Sequence, residues 1–310
     1  MHKNSQTIFI YTFYRFKKIL NKIKLKRDLE IILKNKLVKG TVLLANEGIN
    51  ASISGKRSDL DEIVKEIKKL LKIKSLQIKI NSNEFLPFNR MKVRLKKEIV
   101  SLGAGKFSVQ NKNYIPPLKW NDIISKENIK LIDVRNEYEI KIGKFKNAIN
   151  PKTKNFREFP KKFKDLKISK NDKIALYCTG GIRCEKVSVF LKNKGYKNVV
   201  QLEGGILNYI DMNNNIKGRS MWKGECFVFD DRVSVNKKLR KGNFYQCYGC
   251  RSPISKSEMM LSSYKKGVSC KYCINKKSSS QIKSLITRQN QIDQNKLQKT
   301  KDNFQKIFKV

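Results

Sequence analysis

Cys178 ends a short apolar stretch, Lys173 to Tyr177, and is followed by Thr179-Gly180-Gly181-Ile182-Arg183 before a helical pattern opens at Cys184. Two adjacent glycines let the backbone curl with its amides inward, and a helix start adds unpaired N–H groups and partial positive charge. Such a cradle stabilises a thiolate. An ordinary cysteine titrates near ~8.5, and a helix N-terminus with an adjacent arginine brings that into the neutral range or below. Cys178 is therefore read as a nucleophile or persulfide carrier, the alternative being a small buried hydrophobe at a strand end. Arg183 either holds a phosphate or a substrate carbonyl, or pairs with a nearby carboxylate such as Glu185 or Glu203. Cys184 either resolves an oxidised Cys178 or packs beneath the loop. Four residues separate Cys178 from Arg183. A tetrahedral oxyanion needs one more, so the short loop favours sulfur or a planar group over phosphate.

A second group of thiols has a different spacing. Cys247-x-x-Cys250 is followed, after nineteen residues, by Cys270-x-x-Cys273. Two such pairs suit one tetrahedral zinc ion, with Gly249 and Gly267 fitting the tight turns; four thiolates leave no open position, so its role would be structural. Four reduced, unligated thiols are the alternative. Cys226 belongs to neither group and reads as core. The only histidine is His2, beside the start of the chain. A Cys-His or Ser-His-Asp relay, or a two-histidine iron site, is thus excluded from the folded body. No G-x-G-x-x-G fingerprint is present either, so no flavin, haem or nicotinamide site is evident.

The elements that must position these thiols can be read from the pattern. With 310 residues, the chain has room for two or three domains. Thr7–Phe13 reads as a strand, Lys17–Leu37 as a helix ended by Gly40, and Thr41–Ala45 and Ile49–Ile53 as strands around an Asn46-Glu47-Gly48 turn. Ser58 is the expected cap of a helix to about Leu71, with strands following at Leu76–Ile80 and Met91–Val100. This order predicts an α+β domain of ferredoxin-like topology over 1–102. Ser101 to Leu118 holds two glycines and two prolines and reads as a linker, bounded at 103–118. Over 119–216 strands alternate with helices: Leu131–Val134, a helix from Asn155 to Phe163, Lys173–Tyr177, a helix from Cys184 to Lys194, Val199–Leu202, and a helix after Gly204-Gly205. That is an α/β domain with a parallel sheet, and Cys178 lies at the carboxyl end of one strand, where such sheets place their sites. A cysteine-rich segment, 217–275, and a basic tail, 276–310, complete the chain. The tail reads as a basic helix or as disorder.

Lys and Arg number 69 against 26 Asp and Glu, a formal net charge of +43. Nucleic acid is the partner such a field suits, although abundant Lys, Asn and Ile also follow from AT-rich coding. The expected contact surface includes Arg90, Lys92, Arg94, Lys96 and Lys97, with Lys92, Arg94 and Lys96 on one strand face. Tyr11, Phe13 and Tyr14 are candidates for stacking on a splayed base. No stretch approaches the ~20 apolar residues of a membrane span, and no signal-peptide pattern opens the chain, so the cytoplasm is the expected location.

Asp133-Val134-Arg135, Glu139, Gly143, Ala148-Ile149-Asn150, the Cys178–Arg183 loop and Gly204-Gly205 together resemble the rhodanese domain, whose loop cysteine carries a persulfide. Lys144 stands where that family usually has a histidine, and Tyr209 where it has a late tryptophan. Longer matches cover nearly the whole chain: Gly40 to Asn50, Lys92 to Val100, Asn155 to Pro160, Cys178 to Lys186 and Trp222 to Asp230 resemble the rhodanese-containing tRNA uridine(34) hydroxylases. The resemblance implies conversion of a tRNA wobble uridine to 5-hydroxyuridine, with molecular oxygen as co-substrate, an unidentified electron donor, and Cys178 as the active-site cysteine. A plain persulfide sulfurtransferase and a noncatalytic RNA-binding module are the alternatives. The second is the weaker, because Cys178, both loop glycines and Arg183 are all present.

Overall fold

A computed structural model of the chain describes residues 7–105, 113–215 and 220–307. His2 and the middle of the expected linker lie outside them.

The amino-terminal domain runs β1 (Ile8–Phe16), α1 (Lys22–Lys34), β2 (Lys39–Ala45), β3 (Gly48–Gly55), α2 (Arg57–Leu70), β4 (Ile78–Asn83) and β5 (Met91–Leu95). The sheet order is β4-β1-β3-β2-β5. The first four strands pair antiparallel and β5 joins parallel to β2. This is the expected ferredoxin-like arrangement with one added edge strand. Strand alternation assigns its two faces. Phe13, Ala51, Val42 and Val93 lie in register across four strands and are buried with Leu29, Leu60 and Ile67 of the two helices. The next row, Tyr14, Asn50, Leu43 and Arg94, turns to the opposite face.

Several boundaries differ from the sequence reading. The first helix starts at Lys22, capped by Asn21, which accepts from the Lys24 amide; Leu20 and Ile23 are exposed and not core. Gly40 lies inside β2 at φ 149°, where a Cβ would strike the Ser52 carbonyl, so it serves a close strand approach and ends no helix. Ser58 is not the cap of α2: the helix begins at Arg57, with Lys56 as N-cap and no side-chain cap bond. β5 ends at Leu95, after which Glu98 turns back to accept from the Leu102 and Gly103 amides.

The end of the expected linker carries structure. Tyr114–Ile115 forms β6 and Pro117–Ile124 forms α3. After these come β7 (Ile129–Asp133), α4 (Glu137–Ile140), β8 (Gly143–Phe145), a 3-10 turn (Phe156–Glu158), α5 (Phe159–Lys164), β9 (Lys173–Tyr177), α6 (Ile182–Asn193), β10 (Val199–Leu202) and α7 (Gly205–Asn215). Among the described residues these form a parallel sheet in the order β6-β10-β9-β7, so β6 is its edge strand. Ile174, Ala175, Leu176 and Tyr177 of β9 are all fully buried, as expected for a central parallel strand covered on both faces.

The expected cysteine-rich segment divides. Its first part adds β11 (Trp222–Gly224), antiparallel to β8, and the pair β12 (Cys226–Phe227) and β13 (Ser234–Val235). Trp222 packs edge-on against Phe145, and Cys226 is fully buried, the core role expected of it. Residues 1–242 thus make one compact unit and 243–310 a second. The second holds β14 (Tyr245–Gln246), β15 (Pro253–Ile254), a 3-10 turn (Ser257–Met260) and α8 (Ser279–Ile307), which makes most of the basic tail a helix. Among the described residues, no helix is long and apolar enough to cross a membrane.

Candidate functional site

β9 delivers Cys178 to the carboxyl edge of the parallel sheet, and α6 begins four residues later. Gly181 is the N-cap of that helix at φ 99°, and its amide donates to Cys178 Sγ at 3.1 Å. A Cβ on Gly181 would meet the Tyr14 hydroxyl at 3.0 Å, so both backbone angle and space demand glycine there. The thiol is 1% exposed. Burial opposes its ionisation, but hydrogen bonding with Cys184, the Arg183 charge and the amides of Cys184 and Arg183 outweigh it and bring the thiol down to about 5. At neutral pH the sulfur is a thiolate. Cys184 is fully buried, and burial together with the Cys178 charge pushes its own thiol far up, so it serves as a proton-bearing neighbour of the anion.

Arg183 does not pair with Glu185 or Glu203. Its guanidinium is buried in a two-pronged ion pair with Glu139 of α4, at 2.6 and 2.7 Å, and also donates to the Thr179 hydroxyl at 3.3 Å. Residues two apart on a helix face opposite sides, which separates Arg183 from Glu185. The remaining surface of Arg183 lies under the Phe229 ring, 5.8 Å away. Arg183 therefore supplies charge to the loop while its donors are largely taken within the protein. Ile182 and Gly180 line the adjoining cleft.

That cleft, about 330 Å³, lies between the loop and the open face of the amino-terminal sheet. From the sheet come Thr12, Tyr14, Asn50 and Lys79; from the α/β domain come Tyr114, Gly180, Glu185 and Gly204. Lys79 Nζ donates to the Gly180 carbonyl at 2.7 Å. Desolvation pushes its ammonium down to about 8, opposed by the Cys178 charge. The carbonyl that receives Lys79 and the Gly181 amide that holds the sulfur belong to one peptide unit. A cation from one domain and the thiolate of the other thus sit at the two ends of a single polarised group. On the other wall, Glu185 is 3% exposed and accepts from Tyr14 at 3.0 Å and Tyr114 at 2.9 Å. Burial pushes its carboxyl up, against the Tyr114 and Tyr14 hydroxyls and the adjacent Gln201 amide. Burial likewise pushes the Tyr14 hydroxyl far up, reinforced by the Glu185 and Cys178 charges.

The two domains are held together beneath this cleft. Lys186, fully buried on α6, reaches Glu47 at 2.8 Å and also Glu98. Glu47 accepts from the Ile99 amide and Asn50 donates to the Ile99 carbonyl, which ties the domain junction to the β2–β3 turn.

Sequence reasoning found the loop but missed Lys79, Tyr114, Glu185 as a cleft residue, and Glu139 as the arginine's partner. Of its aromatic candidates, Tyr11 and Phe13 have their side chains buried in the core, leaving Tyr14 as the ring turned to the cleft face. A period-two reading of β1 separates them, since Thr12 and Tyr14 alternate with Tyr11 and Phe13. Lys92 and Arg94 share the open face with Thr12 and Tyr14 by register, but stand on the far edge strand. Three strand spacings put Arg94 roughly 14 Å from Tyr14. Lys92 is half-buried, Arg90, Arg94, Lys96 and Lys97 are exposed, and none lines the cleft.

In the second unit the four cysteines converge, their sulfurs all within 4.8 Å of one another. Cys247–Cys273, Cys250–Cys270 and Cys270–Cys273 are 4.0, 3.8 and 3.9 Å apart. A tetrahedron of thiolates about 2.3 Å from a zinc ion has edges of roughly 3.8 Å, so the donor set fits zinc in number, type and size. The Cys270 amide points at Cys273 Sγ, 3.4 Å away. Residues just before and within α8 hold both knuckles: Lys277, two residues ahead of the helix, donates to the Gly249 carbonyl, and Arg288, inside it, to those of Tyr248 and Gly267.

Comparison with known proteins accords with this layout. Residues 8–99 match the UPF0176 acylphosphatase-like domain and residues 118–211 the rhodanese-like domain. Among solved structures, a rhodanese-related protein from Thermoplasma volcanium is 26% identical, covering 33% of this chain and 93% of its own, with a TM-score of 0.27. A rhodanese-like domain protein from Staphylococcus aureus is 24% identical, covering 32% and 91%, with a TM-score of 0.27. A curated relative from Pelagibacter ubique (strain HTCC1062), named tRNA uridine(34) hydroxylase, is 45% identical over 303 residues, which is 97% of this chain and 99% of that protein. With agreement of that extent across both domains and the cysteine knuckles, the chain belongs to the tRNA uridine(34) hydroxylase family.

Proposed function

We propose that this enzyme hydroxylates C5 of the wobble uridine of tRNA, giving 5-hydroxyuridine in a monooxygenase-type reaction. The observation that carries the reading is the 45% identity, over 97% of the chain, to a protein of that name, joined to a buried thiolate beside a cleft built from two domains. The chemistry suits an activated sulfur. The Cys178 thiolate adds to C6 of the ring, and the electron pair moves to C5 and the C4 carbonyl oxygen. C5 then takes one oxygen atom of O2; the other leaves as water, with two electrons and two protons from an external reductant. Loss of the C5 proton and of the thiolate restores the double bond. This chain supplies the nucleophile, the amides and charges that keep it ionised, and a cleft that orients the ring.

Sulfur transfer from a Cys178 persulfide is the competing reading, favoured by the amide cradle alone. A sulfurtransferase has no use for the amino-terminal sheet, whose Lys79 holds the loop. Nucleoside mass spectrometry of tRNA from cells with and without the protein separates the two. Loss of 5-hydroxyuridine derivatives is the expected result, and loss of thiolated nucleosides instead would replace it with sulfur transfer. A tRNA substrate supports the cytoplasm as the enzyme's location. For the second unit, the cysteine quartet is read as one structural zinc site, closed to chemistry because four thiolates complete its coordination.

A further inference from the structure

We propose that the cleft reads the imide edge of uracil, with Glu185 accepting the hydrogen bond from N3–H of the bound base. The inference rests on the wobble-uridine reading and adds to it the residue that selects the base.

Glu185 enters the cleft wall from α6 with its carboxylate pinned in place. Oε1 accepts from both Tyr14, on β1, and Tyr114, on β6; the Gln201 amide lies beside the carboxyl, and Oε2 has no bond of hydrogen-bonding geometry. The carbonyl oxygen of the neighbouring Gln201 side chain is also without one. Buried polar atoms in native proteins are paired, and a bare carboxylate oxygen in a desolvated site is costly. An unpaired acceptor on a residue that lines the cavity therefore marks a place where a donor binds. Both tyrosines are neutral, so they fix the carboxylate without a compensating cation and leave its acceptor strength for a ligand. An arginine or lysine in their place would have consumed it.

Uracil presents acceptor, donor, acceptor along its edge: O2, N3–H and O4. Cytosine lacks the central donor, and its N3 lone pair would face the carboxylate. The opposite wall complements the rest of that edge. Lys79 spends one N–H on the Gly180 carbonyl, and an ammonium has two more for a ring carbonyl. At about 330 Å³ the cavity is at the small end of small-ligand sites, a size for one nucleobase. Gly180 leaves the approach to the loop open, since a Cβ there would meet only Lys79 Nζ, at 3.8 Å.

The test is binding of three anticodon stem-loop RNAs, identical except for uridine, N3-methyluridine or cytidine at position 34. Fluorescence anisotropy at fixed salt would compare the full chain with its Glu185→Gln variant. The unaltered chain should bind the uridine RNA at least about tenfold more tightly than either other. In the variant the two hydroxyls keep the amide oxygen on their side and turn its NH2 toward the cavity. Uridine affinity should then fall about tenfold, cytidine affinity hold or rise, and the N3-methyl group cease to matter. Equal binding of all three RNAs by the unaltered chain overturns the proposal without recourse to the variant. A folded variant that keeps the full uridine preference overturns it too. The two readings fail separately. Absence of N3 discrimination, with 5-hydroxyuridine still lost from cells lacking the protein, removes only the role of Glu185. Discrimination retained without hydroxylation leaves a uracil-reading pocket with other chemistry.

Discussion

A thiol at the end of a buried strand keeps its proton unless something outweighs desolvation, and at Cys178 two neighbours, Cys184 and Arg183, do so with side chain, charge and backbone amides together. The consequence is measurable residue by residue. Brief alkylation followed by peptide-resolved mass spectrometry should show Cys178 labelling rise with pH around a midpoint of about 5 and level off above it, because the anion is the reactive form. A midpoint near the ordinary ~8.5 would remove the thiolate from the argument. Cys178→Ser should abolish hydroxylation of tRNA in vitro while leaving RNA binding intact, and a serine variant with full activity would eliminate the C6 adduct. The loop was legible in the sequence because its signal is local: strand, cysteine, two glycines, arginine and helix start are consecutive. Glu139 was not, since the ion pair spans 44 positions and nothing in either segment names the other. Lys79 and Glu185 were hidden for the same reason, each looking like an ordinary charged residue until two domains meet.

At the scale of elements, the sheet order followed from the alternation of strands and helices, while the boundaries moved wherever a cap was misassigned. Ser58 looked like an N-cap by type, yet the chain turns into the helix two residues earlier, and Lys56 takes the position. β6 escaped because two residues of edge strand beside two prolines carry no periodic signal. The cysteine knuckles, by contrast, were readable from spacing alone, and their four sulfurs converge to within 4.8 Å of one another. Elemental analysis of the purified protein should find one zinc per chain, with the four thiols unreactive until the ion is removed. A metal-free protein with freely titrating cysteines would sink the assignment. Removal should also release the start of α8, where Lys277 just ahead of the helix and Arg288 within it are anchored on the knuckle carbonyls, and circular dichroism would register the lost helix.

For the whole molecule, a net charge of +43 supplies a field that any polyanion will feel, and the tRNA reading requires that field to contribute to binding. Affinity for tRNA should fall at least about tenfold between 50 and 200 mM salt as condensed counterions are released, and an affinity indifferent to salt would exclude phosphate contacts as its source. The field alone carries no selectivity. Selectivity belongs to the seam where Lys79 grips the Gly180 carbonyl and the same peptide's amide grips the Cys178 sulfur. Through that one peptide a cation of one domain is joined to the nucleophile of the other. A rhodanese domain cut free of its neighbour would keep every residue of its own loop and lose the cation that closes over it.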